Sequence, residues 1–163
     1  MLKLVYYGQN DGAHGPDVIL TGDPGTDNVT LLNAGYLGGK VVSLFASATV
    51  SRGTVIIPCD SALAQPYGFL INGPGEFAGA IGPSGSGKIS VVRAMPTILV
   101  DAQAYNVTPT APYIIGAPAY CGTGTFKGLV TSDQPGSGFK NPIGIIMCVP
   151  TATFPWLGIA ALI

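Results

Sequence analysis

Glycine and proline interrupt this chain from end to end, and that punctuation limits its fold more than anything else. The 24 glycines and 14 prolines among 163 residues are spread along the sequence, not gathered into one tail. Glycine weakens a helix interior and proline breaks it. Between the interruptions lie short runs rich in β-branched and aromatic residues, the pattern of strands bounded by turns. Such runs occupy residues 2–7, 18–20, 29–32, 41–45, 54–58, 67–71, 77–81, 88–95, 97–100, 113–120, 126–130, 143–149 and 156–163. Many short strands at this spacing predict an all-β fold, a small β-barrel or sandwich, with long Gly/Pro-rich loops. Little helix is expected. The best helical candidate is the short stretch 60–65, with Asp60 placed to cap it and Pro66 to end it. Residues 8–28 hold four of the eight acidic residues and two prolines. They read as an extended excursion, so residues 1–28 are expected to form an N-terminal strand and arm, and residues 29–163 a single barrel-like domain.

Charge is scarce. Seven basic and eight acidic residues give a net charge of −1, and charged residues make up only 9% of the chain, against about 25% in a typical soluble domain. Solubility must then come from uncharged polar residues, or partners must cover much of the surface. No basic cluster exists, which argues against nucleic acid and against an anionic membrane as partners. Residues 141–163 carry no charge and are long enough to span a bilayer. Pro142, Pro150 and Pro155, with Gly144 and Gly158, interrupt them, and lipid cannot satisfy the backbone groups such breaks expose. The segment reads as strand, turn, strand. The N-terminal residues lack the apolar core of a signal peptide.

Candidate chemistry is thin. Gly82, Gly87 and Lys88 fit the phosphate-binding pattern G-x-x-x-x-G-K-[ST], but Ile89 replaces the hydroxyl residue that would ligate magnesium. The β-branched run after Lys88 predicts a strand where a phosphate loop needs a helix N-terminus. The only histidine, His14, sits in a Gly-rich loop, and Glu76 is the only glutamate; no nucleophile elbow accompanies them. Asp17, Asp23 and Asp27 lack calcium-loop spacing. Cys59, Cys121 and Cys148 are widely spaced without a C-x-x-C, so free thiols, buried or half-buried, are expected in place of a zinc site. No enzyme, no cofactor and no metal is expected. The aromatic residues suggest contacts instead, since tyrosine offers an apolar body with a polar tip and tryptophan is a frequent interface anchor. Partner contact is expected at Tyr6, Tyr7, His14, Phe154, Trp156 and Leu157.

Two stretches resemble the capsid decoration, or cement, proteins of tailed bacteriophages. One is Phe126-Lys-Gly-Leu-Val-Thr followed by Pro142-Ile-Gly-Ile-Ile-Met-Cys-Val-Pro-Thr-Ala-Thr-Phe-Pro-Trp-Leu-Gly-Ile. The other is Gln65-Pro-Tyr-Gly-Phe-Leu-Ile-Asn with Ser84-Gly-Ser-Gly-Lys-Ile-Ser-Val-Val. The resemblance spans residues 60–163 and rests on glycine and apolar positions. It implies a barrel or tulip on the outer surface of a virion, often a homotrimer, that bridges neighbouring copies of the major capsid protein and stabilises the head. Made in the host cytoplasm, such a protein would have no nucleic-acid or membrane partner. A tail, fibre or adhesion module, or a β-domain binding a small ligand or carbohydrate, are the alternatives the residues leave open.

Overall fold

A computed structural model describes residues 2–4, 19–21, 38–45, 55–70, 89–94 and 96–163. It is all-β. The strands are β1 (Leu2–Leu4), β2 (Ile19–Thr21), β3 (Val41–Phe45), β4 (Val55–Pro58), β5 (Pro66–Leu70), β6 (Ile89–Val92), β7 (Ile98–Val100), β8 (Pro118–Cys121), β9 (Val130–Thr131), β10 (Gly144–Cys148) and β11 (Leu157–Ala161). They form two antiparallel sheets, one of six strands in the order β1-β7-β11-β10-β8-β9 and one of five in the order β2-β6-β5-β3-β4. The six-stranded sheet takes all but β1 from residues 98–161. Leu2–Leu4 and Ile19–Thr21, both inside the stretch read as an arm, pair with β7 and β6, while residues 5–18 lie outside the described residues.

The sheets share one core. Val41, Phe69 and Val92 of the five-stranded sheet pack with Ile98, Val100, Ala119, Ile146, Leu157 and Ile159 of the six-stranded one. Alternation along the strands sends Val42, Leu70 and Val91 into a second cluster, joined by Tyr67. Burying each such side chain contributes about 1.5–3 kcal/mol. Two glycines let the strands approach. A Cβ on Gly68 of β5 would meet Val91, and one on Gly144 of β10 would meet Ile159 and the backbone of Ala160. These glycines hold equivalent places in the Tyr67-Gly-Phe and Ile143-Gly-Ile runs, and close backbone approach accounts for both.

Backbone hydrogen bonds stitch the sheets along one seam. Val41 N–H donates to Gly128 O (2.8 Å), Gly128 N–H to Cys59 O (2.6 Å), and Cys59 N–H to Val41 O (3.2 Å). At a second point, Ala94 N–H donates to Ile163 O (2.6 Å). The result is a curled, partly closed barrel.

Two expectations are corrected. The strand expected over 113–120 begins only at Pro118, because Ile114–Ala117 forms a turn closed by Ala117 N–H on Ile114 O. The strand expected over 126–130 begins at Val130, because Gly124–Phe126 is a 3₁₀ turn and Gly128 follows with positive φ. The helical candidate at 60–65 is a single turn. Leu63 and Ala64 N–H both bond Asp60 O (2.9 Å), and the Asp60 carboxylate accepts Ala62 N–H (3.1 Å). Expected strands 29–32 and 77–81 lie outside the described residues, as does 82–88. After Lys88 the chain does run as a strand, β6, paired with β2 and β5.

Candidate contact surface

Strand direction decides which loops share an end of the six-stranded sheet. β10 ends at Cys148 and turns back into β11 through residues 149–156. β8 runs antiparallel to β10, with Pro118 opposite Ile145, so the Ile114–Ala117 turn lies beside the C-terminal part of β10. Gly116 N–H fixes it there by donating to Ile146 O (2.8 Å). The 149–156 loop, the Ile114–Ala117 turn and Met147 therefore sit together at one end.

Both connections hold themselves in shape. At the loop tip, Thr151 N–H donates to Phe154 O (2.8 Å), and Phe154 N–H to Thr151 O and Oγ1. In the turn, Gly116 takes φ +84°, a conformation that favours glycine. Behind them, Tyr105 and Tyr113 meet edge to face with centroids 5.9 Å apart. The Tyr113 hydroxyl donates to Asn106 O (2.7 Å) and lies 3.1 Å from Val130 O, and burial pushes its pKa above the ordinary phenol value. Tyr105 reaches Pro155 O with its hydroxyl (3.5 Å). The carboxylate of Asp133 accepts the N–H groups of Thr110 and Ala111 (2.9 and 2.7 Å), anchoring the chain that leads into the turn.

What these anchored loops present is apolar. Ile115 is 63% exposed, and Ile114, Met147 and Phe154 are also open to solvent. The sequence around them is bare of charge. Residues 102–126 contain no Asp, Glu, Lys or Arg, and neither do residues 141–163. Exposed apolar groups on anchored turns lose little side-chain entropy when a partner covers them.

Of the residues expected to make contacts, Phe154 is exposed and Trp156 half-buried at this end. Leu157 is corrected to a core residue. It is fully buried in β11 opposite Val100, since β11 is flanked by β10 and β7 and its side chain points into the shared core. Tyr6, Tyr7 and His14 lie outside the described residues. Sequence reading missed Ile114 and Ile115, which looked like strand residues, and Met147, whose side chain β10 leaves exposed. The signal that marks them is the overlap of two charge-free stretches with turn-forming Gly116 and Pro150.

A shallow cleft of about 180 Å³, lined by Asn106, Cys121, Thr131, Asp133 and Gln134 among others, is smaller than the 300–1,000 Å³ typical of ligand pockets. Among the described residues, no three His, Cys, Asp or Glu side chains converge as a metal site. All three cysteines are free. Comparison with family models, curated proteins and solved structures finds no match to the chain.

Proposed function

We propose that this chain is a non-enzymatic virion structural protein that binds the outer surface of a tailed-phage capsid, cements neighbouring copies of the major capsid protein and stabilises the head. The observation that carries the reading is the apolar end of the six-stranded sheet, formed by Ile114, Ile115, Phe154 and Trp156 on anchored turns and by Met147 near the end of β10. The capsid as the partner comes from the resemblance of residues 60–163 to decoration proteins. A cement protein acts by adding interface to a lattice already assembled, so each contact favours the assembled state by mass action. A homotrimer would multiply modest contacts through effective concentration. With so few charges, association would depend little on salt.

The test is the mass of the protein in solution, followed by co-sedimentation with expanded, undecorated capsids. A trimer that pellets with the capsids and saturates at a fixed ratio is the expected result. A monomer that stays in the supernatant at every concentration would remove the capsid from the account and favour a ligand-binding or adhesion role.

A further inference from the structure

Asn106 carries a donor that the fold does not use. The residue is only 3% exposed. Its N–H donates to Val130 O (2.8 Å), its carbonyl accepts the Tyr113 hydroxyl (2.7 Å), and its Oδ1 accepts Thr108 N–H (3.0 Å). With Oδ1 fixed in this way, the side-chain NH2 is left without a partner among the described residues, and Asn106 lines the 180 Å³ cleft. Buried polar groups are normally paired. The same cleft is lined by Asp133, Gln134 and Phe126. The Asp133 carboxylate accepts Thr110 and Ala111 N–H, one on each oxygen, and its own N–H donates to Thr131 Oγ1 (3.1 Å). Each carboxylate oxygen keeps a lone pair. Gln134 gives Nε2 to Lys140 O (3.4 Å), which leaves Oε1 as an acceptor. Phe126 is exposed, and Gly136 leaves open space where a Cβ would stand. Bracing the loop from Asn106 to Ala111 accounts for the oxygens of Asn106 and Asp133, but not for the Asn106 NH2 or for the aromatic residue on the same cleft.

We propose that this cleft binds a neutral sugar, one ring at a time, with Asn106 Nδ2 donating to a hydroxyl oxygen, the Asp133 carboxylate accepting a hydroxyl proton, and Phe126 covering the apolar C–H face of the ring. Charge selects the ligand class. A cation would meet the Asn106 NH2 donor, and an anion would meet the Asp133 carboxylate. A hydroxyl donates and accepts at once, and neighbouring hydroxyls on one ring can answer both groups together. The same ring has a C–H face to set against an aromatic side chain, which a small polar amide lacks. Size agrees. At about 30 Å³ per water, the 180 Å³ cleft has room for the equivalent of about six waters, enough for a sugar ring and too little for a drug-sized ligand. Asn106 and Asp133 are held in place before any ligand arrives, so little side-chain order is lost on binding. The inference does not depend on capsid binding. The cleft lies at the Cys121 end of β8, whereas the Ile114–Ala117 turn leads into its Pro118 end.

The experiment is an NMR titration of the isotope-labelled full chain with the methyl glycosides of glucose, galactose, mannose and N-acetylglucosamine. Each is taken to about 50 mM, well above an expected Kd on the order of 1 mM. Acetate, methylammonium, acetamide and glycerol serve as controls at the same concentration. The expected result is that at least one glycoside shifts the Asn106 side-chain NH2 signals together with the Gly122 and Gly136 amides, saturably, while the controls do not. Phe126→Ala, at an exposed side chain, should keep the fold and bind that glycoside about fivefold more weakly. No shift with any glycoside, equal shifts with glycerol or acetamide, or binding of acetate or methylammonium alone would each overturn the proposal. So would shifts confined to the Ile114–Ala117 turn, or an unchanged affinity in the Phe126 variant. Should that variant fail to fold, the wild-type titration decides by itself.

Discussion

The two ends of the six-stranded sheet are built from similar residues and put to opposite uses. At the seam end, polar groups close the structure. Asp60 accepts from Gly124 N–H (3.2 Å) as well as from its own turn, Ser61 bonds the Cys121 carbonyl, and Phe139 N–H reaches Ser61 O (2.7 Å). At the other end, Thr151 braces its own loop, Asp133 accepts from Thr110 and Ala111, Tyr113 reaches Asn106 O and Val130 O, and the outer tips are left apolar. Exposure of apolar side chains does not by itself separate the ends, since Leu63, Phe126 and Leu162 are exposed toward the seam. Charge separates them only in part: Asp60 and Lys127 stand beside Leu63 and Phe126 in sequence, but Phe126 and Leu162 fall inside the same two charge-free stretches as the opposite loops. A surface meant for water interleaves charge with apolar groups; a surface meant to be covered has reason not to.

Substitutions can break this contrast or sharpen it. The largest effect is expected between the ends, in the shared core. Ile146→Ala should cost about 2–5 kcal/mol in urea unfolding, because the side chain is fully buried in the shared core. At the seam, Asp60→Ala removes acceptors for Ala62 and Gly124 and should cost about 1–2 kcal/mol. A change below about 0.3 kcal/mol, well under a typical capping contribution, would mean the seam does not depend on that carboxylate. Behind the apolar end, Tyr113→Phe should cost about 1 kcal/mol at neutral pH, and it carries a pH signature. The unfolded chain ionises this phenol near about pH 10, while the folded state holds it neutral to higher pH. The folded state then retains a proton the unfolded state has lost, so stability is full below pH 10 and falls as pH rises above it. The Phe variant should lose less over that window, as thermal melts across alkaline pH would reveal. The smallest effect is expected at the tip, where Phe154→Ser should change stability by no more than about 0.5 kcal/mol.

Strand positions were legible where side chains dictate them. Val41–Phe45 has its expected bounds, and β4, β7 and β10 differ by a residue or two, because β-branched runs next to turn residues leave few alternatives. The failures at 113–117 and 126–129 share one cause. A glycine at positive φ, Gly116 or Gly128, turns the chain whatever its neighbours prefer, and neither the sign of φ nor the turn it makes can be read from composition. The contact surface was half legible. Phe154 and Trp156 announced themselves by residue type, but Ile114, Ile115 and Met147 became surface residues only through the register of β8 on β10. Leu157 shows the reverse: one position past Trp156, the strand begins and the side chain goes inward. The packing of the Cys121 sulfur against the Cys59 carbonyl oxygen (3.6 Å) is a long-range contact, beyond the reach of spacing rules built on neighbouring cysteines.

The most direct measurement is saturation binding of an Ile115→Ser, Phe154→Ser double variant to expanded, undecorated capsids, beside the wild type and with melting curves for both. If the apolar end is the docking surface, the variant should melt within a few degrees of the wild type and bind at least about 10-fold more weakly, since two truncated contacts at roughly 1 kcal/mol each exceed one decade of affinity. Equal melting and equal binding would contradict the assignment of this end as the surface that meets the capsid.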